Sequence, residues 1–146
     1  MRIMTWTPWI LAGAALLAEG AAAQQFPPAP ADIAAAEAAG LRRIDAAELQ
    51  RSYPGKRIAQ SNRGLIVQTE LRADGSVQYT DDAGGADTGT WTISERNGGA
   101  ICRAYSKQMG RRFCTVYYAA PDGVHYFGYN PDDKAWRVTT RRVDTP

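Results

Sequence analysis

From Gly64 to the C-terminus, apolar residues recur at every second position in short runs, and each run stops at a cluster of Gly, Asp, Asn or Pro. Period two sends alternate side chains to opposite faces of an extended strand, whereas an amphipathic helix needs a repeat near 3.6. Leu65, Val67, Thr69 and Leu71 share one face, with Gln68, Glu70 and Arg72 on the other, and Ala73-Asp74-Gly75-Ser76 reads as a hairpin turn into Val77–Thr80. A Gly/Asp-rich loop from Asp81 to Gly89 precedes Thr90–Ile93, which carries Trp91 and Ile93 on its inner face. Asn97-Gly98-Gly99 turns into Ala100–Tyr105, a loop to Arg112 leads to Phe113–Tyr118, and Pro121-Asp122-Gly123 turns into Val124–Tyr129. Asn130-Pro131-Asp132-Asp133 then introduces Trp136–Thr140. About seven short strands at roughly ten-residue spacing, joined by turns, predict an antiparallel meander.

The chain ahead of the strands reads differently. Arg2 and the uncharged stretch Ile3–Ala18, followed by Ala21-Ala22-Ala23, match a signal peptide over residues 1–23, with Gln24 as the mature N-terminus. The apolar centre is shorter than the roughly 20 residues of a membrane span, although an uncleaved anchor is the alternative. No cysteine sits just after the cleavage site to carry a lipid, and no other run is long enough to span a bilayer. Export to a periplasm, or secretion, follows as the expectation, for a protein that is not integral to the membrane after cleavage.

Residues 24–44 read as a Pro/Ala-rich tether. Gln24–Ala31 has three prolines and predicts a stiff, extended, mobile segment. Asp32 is placed to cap a short helix ending at Gly40. Asp45 with Glu48 three residues later is a capping-box pattern, Ile44 and Leu49 flank it as a hydrophobic staple, and Pro54-Gly55 stops the helix. The β-rich domain is expected to run from 45 to 146.

Cys102 and Cys114 are the only cysteines among the 146 residues. An even pair in an exported chain reads as a structural disulfide across a hairpin. A redox role would call for a Cys-x-x-Cys spacing that is absent. Seventeen Lys and Arg against fifteen Asp and Glu give +2, without the basic excess of a nucleic-acid binder.

The order of a short helix ending in Pro54-Gly55-Lys56, a strand with Ala73-Asp74-Gly75-Ser76, then Gly89-Thr90-Trp91-Thr92-Ile93 and a paired-cysteine hairpin at Cys102 and Cys114 resembles small exported bacterial β-rich proteins of unknown function. The resemblance covers about Asp45 to Val143 and implies location and fold, either a twisted sheet or a small lipocalin-like barrel. It implies no reaction and no catalytic residue.

Chemistry-bearing motifs are sparse. His125, the only histidine, has no nucleophile elbow or ligand spacing beside it and is expected at a surface or half-buried strand position. Asp81-Asp82 and Asp132-Asp133 sit in turns, where Asp is favoured because it bonds its own backbone. Asp81, Asp82 and Asp87 lack the spacing of a calcium loop. No metal and no cofactor is expected.

Two surfaces remain. Arg103, Lys107, Arg111 and Arg112 lie within or beside the disulfide loop, with no acidic residue from Ala100 to Thr115, and predict a rigid cationic hairpin. Of the twelve aromatic residues after Ala23, eight fall from Tyr105 onward. The adjacent pairs Tyr117-Tyr118 and Tyr126-Phe127 must point to opposite faces, so either the sheet is covered on both sides or it displays rings, with Tyr117 and Tyr126 as candidate contacts. The functional expectation is a non-catalytic module that binds a protein or an anionic envelope component. A protease-inhibitor barrel and a small hydrolase are the alternatives.

Overall fold

The computed structural model describes residues 26–143 except residue 63; the predicted leader and Gln24 lie outside the described residues. Two helices, α1 (Ile33–Ala38) and α2 (Ala46–Ser52), precede eight strands: β1 (Lys56–Asn62), β2 (Leu65–Leu71), β3 (Ser76–Asp81), β4 (Ala86–Ser94), β5 (Ala100–Tyr105), β6 (Arg112–Ala119), β7 (His125–Asn130) and β8 (Asp133–Val143). All pairings are antiparallel between sequence neighbours, and β1 pairs with β8 to close a barrel. The predicted meander is therefore the closed form. Closure removes the unpaired edges that an open sheet would expose.

The added strand is β1. Its sequence KRIAQSN has no clean alternation, and tertiary pairing decides it: Ile58 faces Thr69 on one side and Arg142 on the other, and Gln60 faces Val67 and Thr140. Both helices begin at the predicted caps. Asp32 accepts from the Ala35 amide at 2.8 Å and Asp45 from the Glu48 amide at 2.8 Å. Among the described residues no helix is long and apolar enough to cross a membrane.

Register assigns the two faces. Ile58, Leu71, Val77, Trp91, Ile101, Tyr105, Tyr117 and Tyr126 fill the interior, and Ile44, Leu49 and Tyr53 pack onto them from the α2 segment. A second cluster lies on the outer face of β5, β6 and β7, where Ala100, Cys102, Val116, Tyr118, Phe127 and Tyr129 pack beneath Ala36, with Ala29, Ile33 and Leu41 alongside. The sheet is thus covered on both sides at its aromatic strands, which resolves how Tyr117 and Tyr118 are both buried.

The cover is made by the N-terminal segment, which is extended as its prolines demand but anchored where a mobile tether was expected. Thr139 Oγ1 donates to the Pro27 carbonyl at 2.5 Å, Tyr129 Oη to Pro30 at 3.1 Å and an Arg137 guanidinium nitrogen to Ala31 at 3.1 Å. Tyr118 Oη donates to Glu37 at 3.0 Å. The outer aromatic face supplies both apolar area and donors, and that combination holds the segment in place.

Candidate functional site

Cys102 and Cys114 are direct cross-strand neighbours and are bridged, with an S–S distance of 2.09 Å. The cationic hairpin around them does not form the four-cation surface that its composition suggests. Arg103 alternates with Ile101 and Tyr105 on the inner face of β5, lies opposite Trp91 on β4 and Phe113 on β6, and is only 4% exposed. Lys107 bends back onto β4: its amide donates to Asp87 and its ammonium to the Ala86 carbonyl. Lys107, Arg111 and Arg112 are exposed, but Lys107 is tied to β4, which leaves Arg111 and Arg112 as the cations that face outward from the loop. Tyr117 and Tyr126 are likewise buried in the interior rather than displayed. Strand parity is the physical reason for Arg103, Tyr117 and Tyr126, because residues that share a face with Ile101 or with Gly128 must enter the barrel.

Arg111 and Arg112 join Arg96, Asn97 and Gln108 in a groove of about 550 Å³ whose wall also includes Cys114, Asp132 and Asp133. The β7–β8 turn that supplies the aspartates is locked locally. Asn130 accepts from the Asp132 amide at 2.9 Å and Asp133 from the Ala135 amide at 3.1 Å. The groove is therefore a polar surface of both signs of charge, framed by three turns and by one half of the disulfide.

The other concentration of polar groups is inside the barrel. Arg103 donates to the Tyr117 hydroxyl at 2.6 Å, and its Nε has no partner. The Tyr105 and Tyr53 hydroxyls and Thr115 Oγ1, and on β1 and β2 Gln60 Oε1 and Thr69 Oγ1, are buried without hydrogen bonds. Burial works against the Arg103 charge, the Tyr117 and Tyr105 hydroxyls work for it, and the balance holds the guanidinium above the ordinary arginine value. Burial also pushes the Tyr53 and Tyr117 hydroxyls up, so both remain protonated donors. Tyr53 stacks on Tyr117 with ring centres 5.8 Å apart, which ties the α2 cap to this cluster. Tyr53, Gln60, Thr69 and Thr115 carried no site role in the sequence reading. The available signal was a polar residue recurring at inward positions of otherwise apolar strands, as in Val67-x-Thr69-x-Leu71 and Ile101-x-Arg103-x-Tyr105.

The remaining candidates are structural in their contacts. His125 is buried more deeply than its strand position suggested, with Nδ1 2.6 Å from Asp122 Oδ2 and its ring edge-on to Phe26. Asp122 also accepts from the amides of Val124 and His125, and these bonds hold its carboxyl down at about 2. Asp81 accepts from Gly85, Ala83 and the Tyr79 hydroxyl, so it shapes the β3–β4 turn. Among the described residues no cluster of three His, Cys, Asp or Glu side chains has the proximity of a metal site. Compared with models of known families, with curated proteins and with solved structures, the chain has no match.

Proposed function

We propose that this chain is exported to a bacterial periplasm, processed after Ala23, and acts there as a binding module for a protein partner. Export rests on the charged, apolar and small-residue pattern of residues 1–23. The Cys102–Cys114 bridge fits an oxidising compartment.

The groove beside the disulfide carries the binding reading. Arg96, Arg111 and Arg112 share it with Asp132 and Asp133. An anionic polymer would gain from the three arginines but lose against the two carboxylates, whereas a folded partner or a polar peptide can match both signs. The bridge fixes the β5–β6 hairpin at the groove wall, so less ordering entropy opposes docking. A protease-inhibitor role calls for a free N-terminal segment, and Phe26–Ala31 is instead bonded along β7 and β8.

Site-specific photocrosslinking tests the reading. A photoreactive residue at Gln108, in the groove, should give one discrete crosslinked species in the periplasmic fraction. The same residue at Gln78, on β3 and outside that groove, should give none. Equal patterns from both positions would contradict it, and so would a Gln108 probe that captures only envelope polymer.

A further inference from the structure

The interior of this barrel contains a charge that the fold leaves unanswered. Arg103 is buried, and the hydroxyls that support its charge, Tyr117 and Tyr105, are neutral. Among the described residues no carboxylate forms an ion pair with it; the pairs are Arg42–Glu48, Arg72–Glu70 and His125–Asp122. Taking a guanidinium out of water costs several kcal/mol unless an anion and further hydrogen bonds compensate. A chain selected only for stability would place methionine or leucine at this position.

The unpartnered groups have the right chemistry to complete an anion site. Arg103 Nε is a donor aimed at nothing, and the hydroxyls of Tyr53, Tyr105 and Thr115 are further donors without acceptors. Together with the guanidinium they would offer donors to a carboxylate, which accepts at two oxygens in one plane and matches the fork of an arginine. The rest of the lining is apolar, with Ile58, Leu71, Val77, Trp91 and Ile101 in the same cluster as Tyr105 and Tyr117.

Size is also constrained. An eight-stranded barrel is just wide enough for its side chains or for one small ligand. On the β7 side the space is already used: a Cβ at Gly128 would stand 2.9 Å from Val138, 3.0 Å from Thr115 and 3.1 Å from Tyr117. One end of the barrel is covered by α2 through Leu49 and Tyr53, and the other is framed by the β3–β4, β5–β6 and β7–β8 turns. We infer that the barrel interior is a receptor for a compact organic acid, a single carboxylate on a small apolar body, with Arg103 and Tyr117 holding the carboxylate. This site is separate from the outer groove and does not depend on what binds there.

Trp91, directly across from Arg103, reports on the site. In a Trp136→Phe background it is the only tryptophan left after residue 23. Benzoate, phenylacetate and hexanoate should change its emission and raise the melting temperature, each binding at least tenfold more tightly than its primary amide, which has the same shape without the charge. Inorganic phosphate should bind at least tenfold more weakly than the best acid. Arg103→Met should lower acid affinity at least tenfold, and Tyr117→Phe, which keeps the ring, should lower it severalfold. Acids and amides that bind alike would overturn the inference, as would acids that leave wild-type emission and melting unchanged. Phosphate binding as tight as the acids, or full acid affinity in Arg103→Met, would overturn it too. The acid-against-amide comparison uses the wild-type lining and decides the matter even if the Arg103 variant does not fold.

Discussion

Arg103 donates a 2.6 Å hydrogen bond to the Tyr117 hydroxyl inside the barrel, linking the neighbouring strands β5 and β6 on their inner face. That link places a buried cation beside a tyrosine which also stacks on Tyr53 of the α2 cap. The same strand carries Cys102 on the opposite face, where the disulfide ties β5 to β6 from outside. Two adjacent residues thus fasten the same pair of strands on the two faces of one wall.

The bridge should be structural. Replacing Cys102 and Cys114 together by Ser should lower unfolding free energy by about 3 kcal/mol, as expected for closing a loop of this length. Urea denaturation checks it, and far-ultraviolet circular dichroism should keep its β signature. An unchanged midpoint would mean that β5 and β6 are held fully by their ladder and packing.

Trp91 is a core anchor with a satisfied indole. It is 8% exposed, and its Nε1 donates to the Arg72 carbonyl at 2.8 Å. Trp91→Ala should cost about 3–5 kcal/mol from lost burial and the cavity left behind. Trp91→Phe should cost less while still losing the bond to the β2–β3 turn. Iodide should fail to quench Trp91 in the native Trp136→Phe protein.

How legible this molecule was depended on whether a feature is decided locally. The Asp45–Glu48 cap, the Asp74-Gly75 turn and the cross-strand meeting of Cys102 with Cys114 follow from residues close in sequence, and all are present. β1 was not legible, because Gln60 and Ile58 become strand residues only through β2 and β8, the latter some 80 positions away. Nor was the docking of Pro27–Ala31, whose partners Tyr129, Arg137 and Thr139 lie about a hundred residues on. Arg103 was different: its face was readable from Ile101 and Tyr105, but charge composition drew it to the surface where parity forbids it.

Asp122 should give the hairpin before β7 a pH signature. Amides of His125 and Val124 and the His125 ring hold its carboxyl down at about 2, below the ordinary value for Asp. A depressed folded-state value means that its stabilisation is fully present above the unfolded-state value near 4 and is lost as pH falls toward 2. The gap in melting temperature between wild type and Asp122→Asn should therefore close as pH falls from 5 to 2. A gap that persists unchanged at pH 2 would show that the carboxylate charge contributes nothing there.

The anchored N-terminal segment should behave as part of the folded unit. Removing residues 24–31 should uncover the outer cluster of Tyr129 and Phe127, increase binding of a hydrophobic dye and lower the melting temperature. Thr139→Val, which deletes only the donor to Pro27, should have a smaller effect of about 1 kcal/mol. A truncated protein that melts with the full-length one would contradict a structural role for the segment.

The central claim is that the barrel keeps a buried guanidinium for recognition and not for stability. Chemical denaturation of Arg103→Met against wild type, without ligand, tests it most directly. Methionine fills similar volume and removes the uncompensated charge at the cost of one hydrogen bond to Tyr117, a trade that leaves stability within about 1 kcal/mol or raises it. A loss of about 3–5 kcal/mol, the signature of breaking a buried charge network that stabilises the fold, would contradict the account.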